Sequence, residues 1–538
     1  MPPLSPLGKA AVIAAVAFFV FAATIAVLVA VVVPLSEQKA RERLVDVLAQ
    51  RLDAKVELRE LHLRTFPALR ADGVGLTIRH RGRTDVPPLI TIARFSAQAN
   101  IFVFIRRHIT RVDIEGLDIQ IPPERHGSDD NVAPSDARQE GEAPHGDFAR
   151  TLIVDHLYTK DARLTIIPSA AGKSPRVWNI HDLQMTSVSA GTAMPFDATL
   201  TNAVPPGEIA THGSFGPWQP DEPGETPLAG TFAFDRADLG VFPGISGILT
   251  ARGQFGGRLE RIDVHGETSV PEFRVVKTGG HPVPLHTTYH AIVDGTNGNT
   301  LLDDIHASFL DTALVAKGGV VGAPGRPGRT LSLDVSIDRG RLEDVLKLSV
   351  PASTPPMTGA LRLKTTMVIP PGQADVVRRM RLKGRFTLSG SRFTSDTVQK
   401  KIAELSHRGQ GKPEKGTDGA AHVQSTFSGD FSLAGGTLSL PDVGFAVPGA
   451  LVQLSGTYAM ERETIDFAGM LYMDAKVSDT TTGIKHVLLK IIDPLFRRDG
   501  GGSAIPIKIT GTRSDPSFGL DKGRLFSHRH QPSHKGQP

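Results

Sequence analysis

Few residues of this 538-residue chain have the types and spacing that catalysis needs. Gly172–Ser174 (GKS) could end a phosphate-binding loop, but Ile167 stands where the first glycine of that motif belongs. The segment is therefore interpreted as a polar turn. The chain has no cysteine, which excludes a disulfide framework, a thiolate zinc site and a cysteine nucleophile.

Three further fragments fall short of catalytic motifs. Gly409–Lys412 (GQGK) completes no dinucleotide-binding fingerprint, and Ser246 in GISG lacks the spacing of a nucleophile elbow. His265 and Glu267 have the spacing found in zinc deaminases, which also require the cysteines that this chain lacks. The sequence predicts neither an enzyme nor a bound cofactor.

The C-terminal histidines are the strongest candidates for metal ligands. His528, His530 and His534 are close enough in sequence to hold a metal weakly, but they lie in a polar tail, so no metal site is predicted. Asp303 and Asp304 are interpreted as ordinary loop residues. A catalytic pair formed by residues distant in sequence stays open.

The composition favours a folded β-rich body. Hydrophobic residues make up 40% of the chain and charged residues 22%, and 55 glycines and 39 prolines suit many strands joined by turns. The formal net charge is only +4, without a dense basic stripe that alternates with aromatic residues. Nucleic acid is therefore not an expected partner.

An uncharged apolar run occupies Ala10–Val33. At about 1.5 Å per residue it reaches roughly 36 Å as a helix, enough to cross a hydrocarbon core of about 30 Å. The core of a cleaved signal peptide is shorter, about 7–15 residues. We expect an uncleaved, single-pass membrane anchor with nearly all of the chain on one side.

Beyond this run, the period of the apolar residues identifies the elements. A helix is predicted from Ser36 to about Arg51, with an apolar stripe that includes Leu44 and Leu48. A period of two follows, with a one-residue slip at 59–60 that recurs within 112–121. A slip of this kind predicts a bulge or tight turn.

Alternation of apolar and polar residues continues to the C-terminus, which predicts an antiparallel sheet with one wet face. The clearest cases are Phe232 with Phe234, Leu331 with Leu333 and Val335, Phe431 with Leu433, and Ile505 with Ile507 and Ile509. Two helices are predicted to interrupt the strands. One covers 396–406, with Val398, Ile402 and Leu405 on its apolar face, and the other covers 482–492.

These patterns divide the chain into seven segments. They are an anchor at 1–35, a helix with a first β repeat at 36–123, a flexible linker at 124–148, a central β-rich body at 149–394, a helix with a flexible insertion at 395–420, a C-terminal β region at 421–526 that contains the helix 482–492, and a disordered tail at 527–538.

The order of several segments over about 500 residues resembles the AsmA-like family of bacterial envelope proteins. The segments are VELRELHLRTFPALRADGVGLTI after the first helices, ITRVDIEGLDIQIPP, GSFGPW (Gly213–Trp218), GISGILTARGQFGGRL (Gly244–Leu259), VDGTNGNTLL (Val293–Leu302), MTGALRL (Met357–Leu363), VPGALVQLSGTY (Val447–Tyr458) and Lys476–Asp521. The last of these is the most specific.

The resemblance implies an inner-membrane anchor, a periplasmic body, and kinship with TamB and the chorein-type bridge-like lipid transfer proteins. It also implies a repeating β-groove fold, in which a long, curled, mostly antiparallel sheet with a few amphipathic helices forms a lipid-holding groove and the first β repeat is chorein-like. The residue pattern alone allows either a closed sandwich or an open groove, and without the family it favours the sandwich.

Two sets of residues are candidates for contact with lipid. The groove candidates lie on the apolar side of alternating strands, and they are Ile114, Leu117, Ile119, Phe431, Leu433 and Phe445. The candidates for membrane docking lie on the helix 482–492, and they are Ile484, Lys485, Leu488, Lys490 and Ile491. That helix either covers the last sheet edge or docks on a membrane or partner.

Three functions follow from these expectations. The first is lipid handling between the inner and outer membranes in support of outer-membrane homeostasis, with membrane lipids as partners. The second is a scaffold or assembly factor for outer-membrane components, with envelope proteins at either membrane as partners. The third is an envelope hydrolase or transferase, which requires a polar cleft with convergent ionisable groups. The oligomeric state stays open.

Overall fold

The computed structural model describes fifteen parts of the chain and divides it into two compact units. The described residues are 37–52, 54–64, 68–80, 88–99, 108–121, 153–166, 176–189, 191–219, 222–276, 279–322, 328–412, 423–476, 479, 501–512 and 515–521. Unit 1 comprises 1–241, 248–269 and 288–301, and unit 2 comprises 242–247, 270–287 and 302–538.

Four α-helices lie within the described residues. They are α1 (Glu37–Leu52), α2 (Leu342–Ser349), α3 (Val376–Arg379) and α4 (Asp396–Gly409), and two 3₁₀ turns occupy Pro223–Glu225 and Leu239–Val241. None of the helices described has the length and apolar character needed to cross a membrane. The predicted anchor and the predicted helix 482–492 lie outside the described residues.

The first twelve strands are β1 (Ala54–Arg64), β2 (Leu69–His80), β3 (Ile90–Ala99), β4 (His108–Ile121), β5 (Ile153–Ile166), β6 (Arg176–Val188), β7 (Met194–Ala203), β8 (Pro206–Phe215), β9 (Pro227–Asp238), β10 (Ile245–Ser246), β11 (Ile248–Arg258) and β12 (Arg261–Val275). The other twelve are β13 (Val283–Val293), β14 (Thr300–Phe309), β15 (Thr312–Gly322), β16 (Arg329–Arg341), β17 (Met357–Ile369), β18 (Arg381–Phe393), β19 (Ser425–Ala434), β20 (Thr437–Val447), β21 (Ala450–Ala459), β22 (Thr464–Met473), β23 (Ser503–Thr512) and β24 (Pro516–Leu520).

The chain is mainly β, and its strands form one long, mostly antiparallel open sheet of 24 strands with few helices. This confirms the fold class at that level. Strands that follow one another in sequence pair as antiparallel neighbours, for example β15 through β24. One pair, β4 with β5, is parallel.

In unit 1, α1 packs on β1. The side chains of Ala40, Leu44 and Leu48 are fully buried and belong to an apolar cluster that extends through the first strands. The predicted helix and its stripe are therefore confirmed. Its amphipathic face supplies the packing that a short helix needs for stability.

The predicted slip at 59–60 is present, but its cause differs from a bulge. Leu58 and Leu61 are both buried, so the buried side changes from even to odd positions between them. A two-for-one bulge would shift the register, whereas β1 and β2 pair without a shift on either side of this point. The register is unchanged because the buried side of β2 changes at the position opposite the change in β1.

This phase change crosses four strands as a crease. Leu58 faces Leu76, which faces Ile92, which faces Leu117. The next row of paired residues lies two positions further along each strand and contains Glu60, Val74, Arg94 and Glu115. Gly75 and Gly116 lie at the crease with φ of 70° and 64°. The left-handed glycines in β2 and β4 therefore let the buried side change to the other set of alternate residues without loss of strand pairing.

Gly116 is expected to be the least replaceable position of the crease. A Cβ at Gly116 would lie 2.8 Å from the Cβ of Ala93, and the backbone there is left-handed. Gly116→Ala should therefore lower the free energy of unfolding by about 2 kcal/mol. Urea denaturation followed by circular dichroism measures this. Gly191→Ala is the matched control, because no atom lies within 4 Å of its Cβ position. Equal stability of the two variants would contradict the crease.

In unit 2, helix α4 agrees with its prediction in position but not in orientation. Ile402 and Leu405 pack on the sheet as expected, whereas Val398 is 37% exposed. Gln399 is buried instead, because its amide accepts from the Phe393 N–H at 3.1 Å and donates to the Val423 carbonyl at 2.8 Å. These hydrogen bonds, to the last residue of β18 and to the residue two positions before β19, set the rotation of the helix.

Candidate functional site

The strands of unit 2 place a continuous apolar face on one side of the sheet. Alternate residues of β16 through β23 point to this side, and the antiparallel register aligns them in rows that cross the strands. We define three such rows as the apolar face. The first row, which helices cover, contains Leu361, Leu388, Phe427, Phe445, Val452, Leu471 and Ile505.

The other two rows lie further along the strands. The middle row is next to the first, and one row on the same side, which contains Thr365, Gly384, Phe431, Gly456 and Phe467, separates it from the far row. The middle row contains Ile337, Leu363, Phe386, Gly429, Val443, Leu454, Gly469 and Ile507. The far row contains Leu333, Met367, Leu382, Leu433, Leu438, Tyr458 and Ile465. No residue of the three rows carries a formal charge.

Helices cover the first row, which is accordingly named the covered row. Leu342 and Val345 of α2 pack with Leu361 and Leu388, which are 6% and 5% exposed. Ile402 and Leu405 of α4 pack in the same way with Phe445 and Val452. This end of the face is therefore an ordinary hydrophobic core.

The middle and far rows are mostly not buried. Leu363, Phe386 and Leu454 of the middle row are partly exposed, as are most residues of the far row. The buried exceptions are Ile337, Val443, Gly469 and Leu433. Within the described part of unit 2, only α2 and α4 pack extensively on this side of the sheet. A contiguous, partly exposed apolar surface of this kind is typical of a binding site.

Phenylalanine rings fill the space beside glycines on the apolar face. Phe386 faces Gly429 across the strand pair, and a Cβ at Gly456 would lie 2.6 Å from the Phe467 ring. The rings also contact one another, since the centroids of Phe427 and Phe445 are 4.6 Å apart. The glycines therefore give the rings room to lie along the sheet.

The structure separates the groove candidates into two groups. Phe431 is partly exposed with its ring 6.2 Å from that of Phe386, while Leu433 and Phe445 are 6% and 8% exposed. In unit 1, Ile114 and Leu117 are 2% and 5% exposed in the cluster that includes α1, and Ile119 packs against it. Of these six, only Phe431 and Ile119 are partly exposed.

The docking candidates of the helix 482–492, which are Ile484, Lys485, Leu488, Lys490 and Ile491, lie outside the described residues. Conversely, Phe386, Leu363 and Leu454 are site residues that were not predicted from the sequence. Their alternation with polar residues predicts that they lie on the apolar side of their own strands. Which residues of the adjacent strands lie beside them depends on the strand register.

Comparisons with models of protein families, with curated proteins and with solved structures give no match.

Of the residues considered for catalysis, His265, Glu267, Ser246 and Gly409–Lys412 lie within the described ranges. His265 stacks on His290 with ring centroids 4.3 Å apart, and His290 Nε2 lies 3.3 Å from Asp263 Oδ1. Ser246 lies in the two-residue strand β10, opposite Arg274 of β12. Across the described ranges, no group of three or more histidine and carboxylate side chains is arranged to hold a metal ion. Ile167, Gly172–Ser174 and the tail histidines lie outside these ranges.

The groups whose pKa is shifted lie outside the apolar face. In unit 2, Arg385 holds the pKa of Asp430 below its usual range through a hydrogen bond, and both residues lie on the polar face. In unit 1, a hydrogen bond with Glu225 raises the pKa of Glu260. The three rows of the apolar face contain no charged residue, so its chemistry is that of apolar contact.

Asp344 holds the start of α2 over the covered row. Its carboxylate is 6% exposed and accepts hydrogen bonds from the Asp311 N–H at 3.1 Å and the Thr312 hydroxyl at 2.7 Å. Asp344→Ala should lower the free energy of unfolding by about 2 kcal/mol, because it leaves these donors unpaired. Hydrogen exchange of β15 through β17 measures this, with the exposed Lys347→Ala on the same helix as control. Unchanged protection in Asp344→Ala would contradict this role.

Proposed function

We propose that this protein binds phospholipid acyl chains against the middle and far rows of the apolar face and handles or transports lipid between the inner and outer membranes of a bacterial envelope. The observation that carries the proposal is the partial exposure of these aligned apolar rows. Each methylene transferred from water to such a surface contributes about 0.8 kcal/mol. An acyl chain is therefore a suitable occupant.

Two features of the sequence support a place at the membrane. The uncharged run Ala10–Val33 is long enough for a membrane anchor, and the segment order resembles the AsmA-like family of envelope proteins. Under this proposal the anchor is in the inner membrane and the β-rich body is in the periplasm. Lipid handling by the body supports outer-membrane homeostasis.

The same observation favours lipid over the two other functions. A scaffold without lipid requires a closed core, whereas most of the middle and far rows are partly exposed. A hydrolase or transferase requires convergent ionisable groups in a polar cleft, whereas the three rows that form the face contain no charged residue.

The proposal is tested with the purified full chain and a fluorescent phospholipid, separated by native electrophoresis. We expect the phospholipid to comigrate with the protein and its binding to saturate as the phospholipid concentration rises. Unlabelled phospholipid should displace it, and the free headgroup, glycerophosphoglycerol, should not. Comigration that never saturates would indicate non-specific partition and contradict the proposal, as would displacement by the free headgroup.

A further inference from the structure

The polar face of β17 and β18 carries a stripe of five cations. They are Arg362, Lys364, Arg381, Lys383 and Arg385, and all five are exposed. We call this set the cationic stripe. It lies on the side of the sheet opposite the apolar face, because its residues alternate with those of the three rows.

The register of β17 and β18 gives the stripe its length. Arg362 faces Thr387, Lys364 faces Arg385, Thr366 faces Lys383, and Val368 faces Arg381. The cations thus occupy four successive outward-facing rows. Since two residues advance a strand by about 6.8 Å, the stripe is about 20 Å long.

Most of the positive charge on the stripe is not neutralised. Arg385 forms a bidentate ion pair with Asp430, with Nε–Oδ1 and Nη2–Oδ2 distances of 2.8 and 3.3 Å. Among the described residues, no carboxylate oxygen lies within 4.0 Å of the four other cations. Lys364 and Arg385 also face each other directly, an arrangement of like charges that destabilises a sheet. Structural stability therefore does not account for the stripe.

Carboxylates border the stripe on both sides. Asp334 of β16 faces Thr366 and accepts a hydrogen bond from the Thr366 hydroxyl at 2.7 Å. On the other side, Asp430 lies on β19. The positive potential is therefore confined to the width of about two strands, roughly 5–10 Å. A broad anionic surface laid on this face would meet both carboxylates, whereas a narrow anionic ligand would avoid them.

We propose that the cationic stripe binds an extended acidic segment of a partner polypeptide. In an extended segment, side chains at alternate positions point the same way at a repeat of about 6.8 Å, which equals the spacing of the cation rows. Carboxylates at alternate positions of such a segment would meet successive cations. This inference is independent of the proposed function, because it concerns the opposite face of the sheet.

The test uses the full chain and a fluorescein-labelled peptide of alternating glutamate and serine, followed by fluorescence anisotropy at low salt. The reference peptide has glutamine in place of glutamate. We expect the glutamate peptide to bind more tightly, and added salt to weaken its binding. The double variant Lys364→Gln, Lys383→Gln should reduce its affinity by about tenfold.

The matched control is the double variant Lys160→Gln, Arg252→Gln. It removes the same charge at exposed strand positions where each cation already faces a carboxylate, Asp182 and Glu267 respectively. The control should bind the peptide like the wild type. Circular dichroism should show that both variants are folded, since all four side chains are exposed.

Three results would overturn the inference. The first is equal affinity for the glutamate and glutamine peptides. The second is an equal loss of affinity in the stripe variant and the control variant. The third is stripe-dependent binding to phosphatidylglycerol vesicles without binding to the peptide, which would assign the stripe to a membrane surface instead.

Discussion

Leu388→Asp is expected to unfold the sheet around β18. Leu388 is 5% exposed in the covered row and belongs to a cluster with Leu361, Ile337 and side chains of α2. A carboxylate at this position would be buried without a partner. We therefore expect a loss of about 4–5 kcal/mol in the free energy of unfolding, enough to unfold a marginally stable unit. Urea denaturation and hydrogen exchange of β17 through β19 measure it.

The control for this prediction is the adjacent residue. Ser389 is exposed on the other face of the same strand, so Ser389→Asp introduces the same charge into water. The free energy of unfolding measured by hydrogen exchange should change by no more than a surface substitution usually causes, about 0.5 kcal/mol. A Leu388→Asp variant as stable as Ser389→Asp would show that the covered row is not a core.

Phe386→Asp is expected to weaken phospholipid binding strongly while the chain stays folded. Phe386 lies only two residues from Leu388, but it belongs to the middle row and is partly exposed. Its carboxylate replacement can keep contact with water, so the loss of stability should be about 1 kcal/mol. The same carboxylate lies where an acyl chain would pack. We expect the affinity for the fluorescent phospholipid to fall by more than about tenfold.

Thr387→Asp is the matched control for lipid binding, because it places the charge on the polar face of the same strand. It should bind phospholipid like the wild type. Equal binding by Phe386→Asp and Thr387→Asp would contradict the placement of lipid on the apolar face. Global unfolding of Phe386→Asp would instead assign the middle row to the core.

Much of the sheet could be predicted from the sequence, because the side-chain period of a strand is two and one face is apolar. On this basis the sequence predicts that Phe431 and Leu433 lie on the same side of the sheet, as the structure confirms. Helix α1 was predicted from the spacing of Leu44 and Leu48, which matches a helix with one buried face.

The phase change in β1 was detected, but its cause depends on neighbouring strands. The alternation shows that the buried side changes between Leu58 and Leu61. Only the pairing shows that β2 changes phase opposite it, with Gly75 in a left-handed conformation. A single strand contains no information about the phase of its partner, so a bulge was the simpler prediction.

The division of the apolar face into covered and exposed rows could not be predicted. Leu388 and Phe386 are equivalent in the sequence pattern, and both belong to the cluster on which α2 packs, but only Leu388 is buried. Helix α2 was missed because it has only eight residues and follows β16 directly. Its burial, like the rotation of α4 that exposes Val398, depends on hydrogen bonds to distant strands.

The measurement that tests lipid binding most directly is photocrosslinking in cells at two adjacent positions of β21. Leu454 lies in the partly exposed middle row, and Gln453 is exposed on the polar face. With a photoreactive phenylalanine analogue at each position in turn, mass spectrometry should detect a phospholipid adduct at Leu454 and none at Gln453. Adducts at both positions in equal amount, or none at Leu454, would contradict lipid binding by the apolar face.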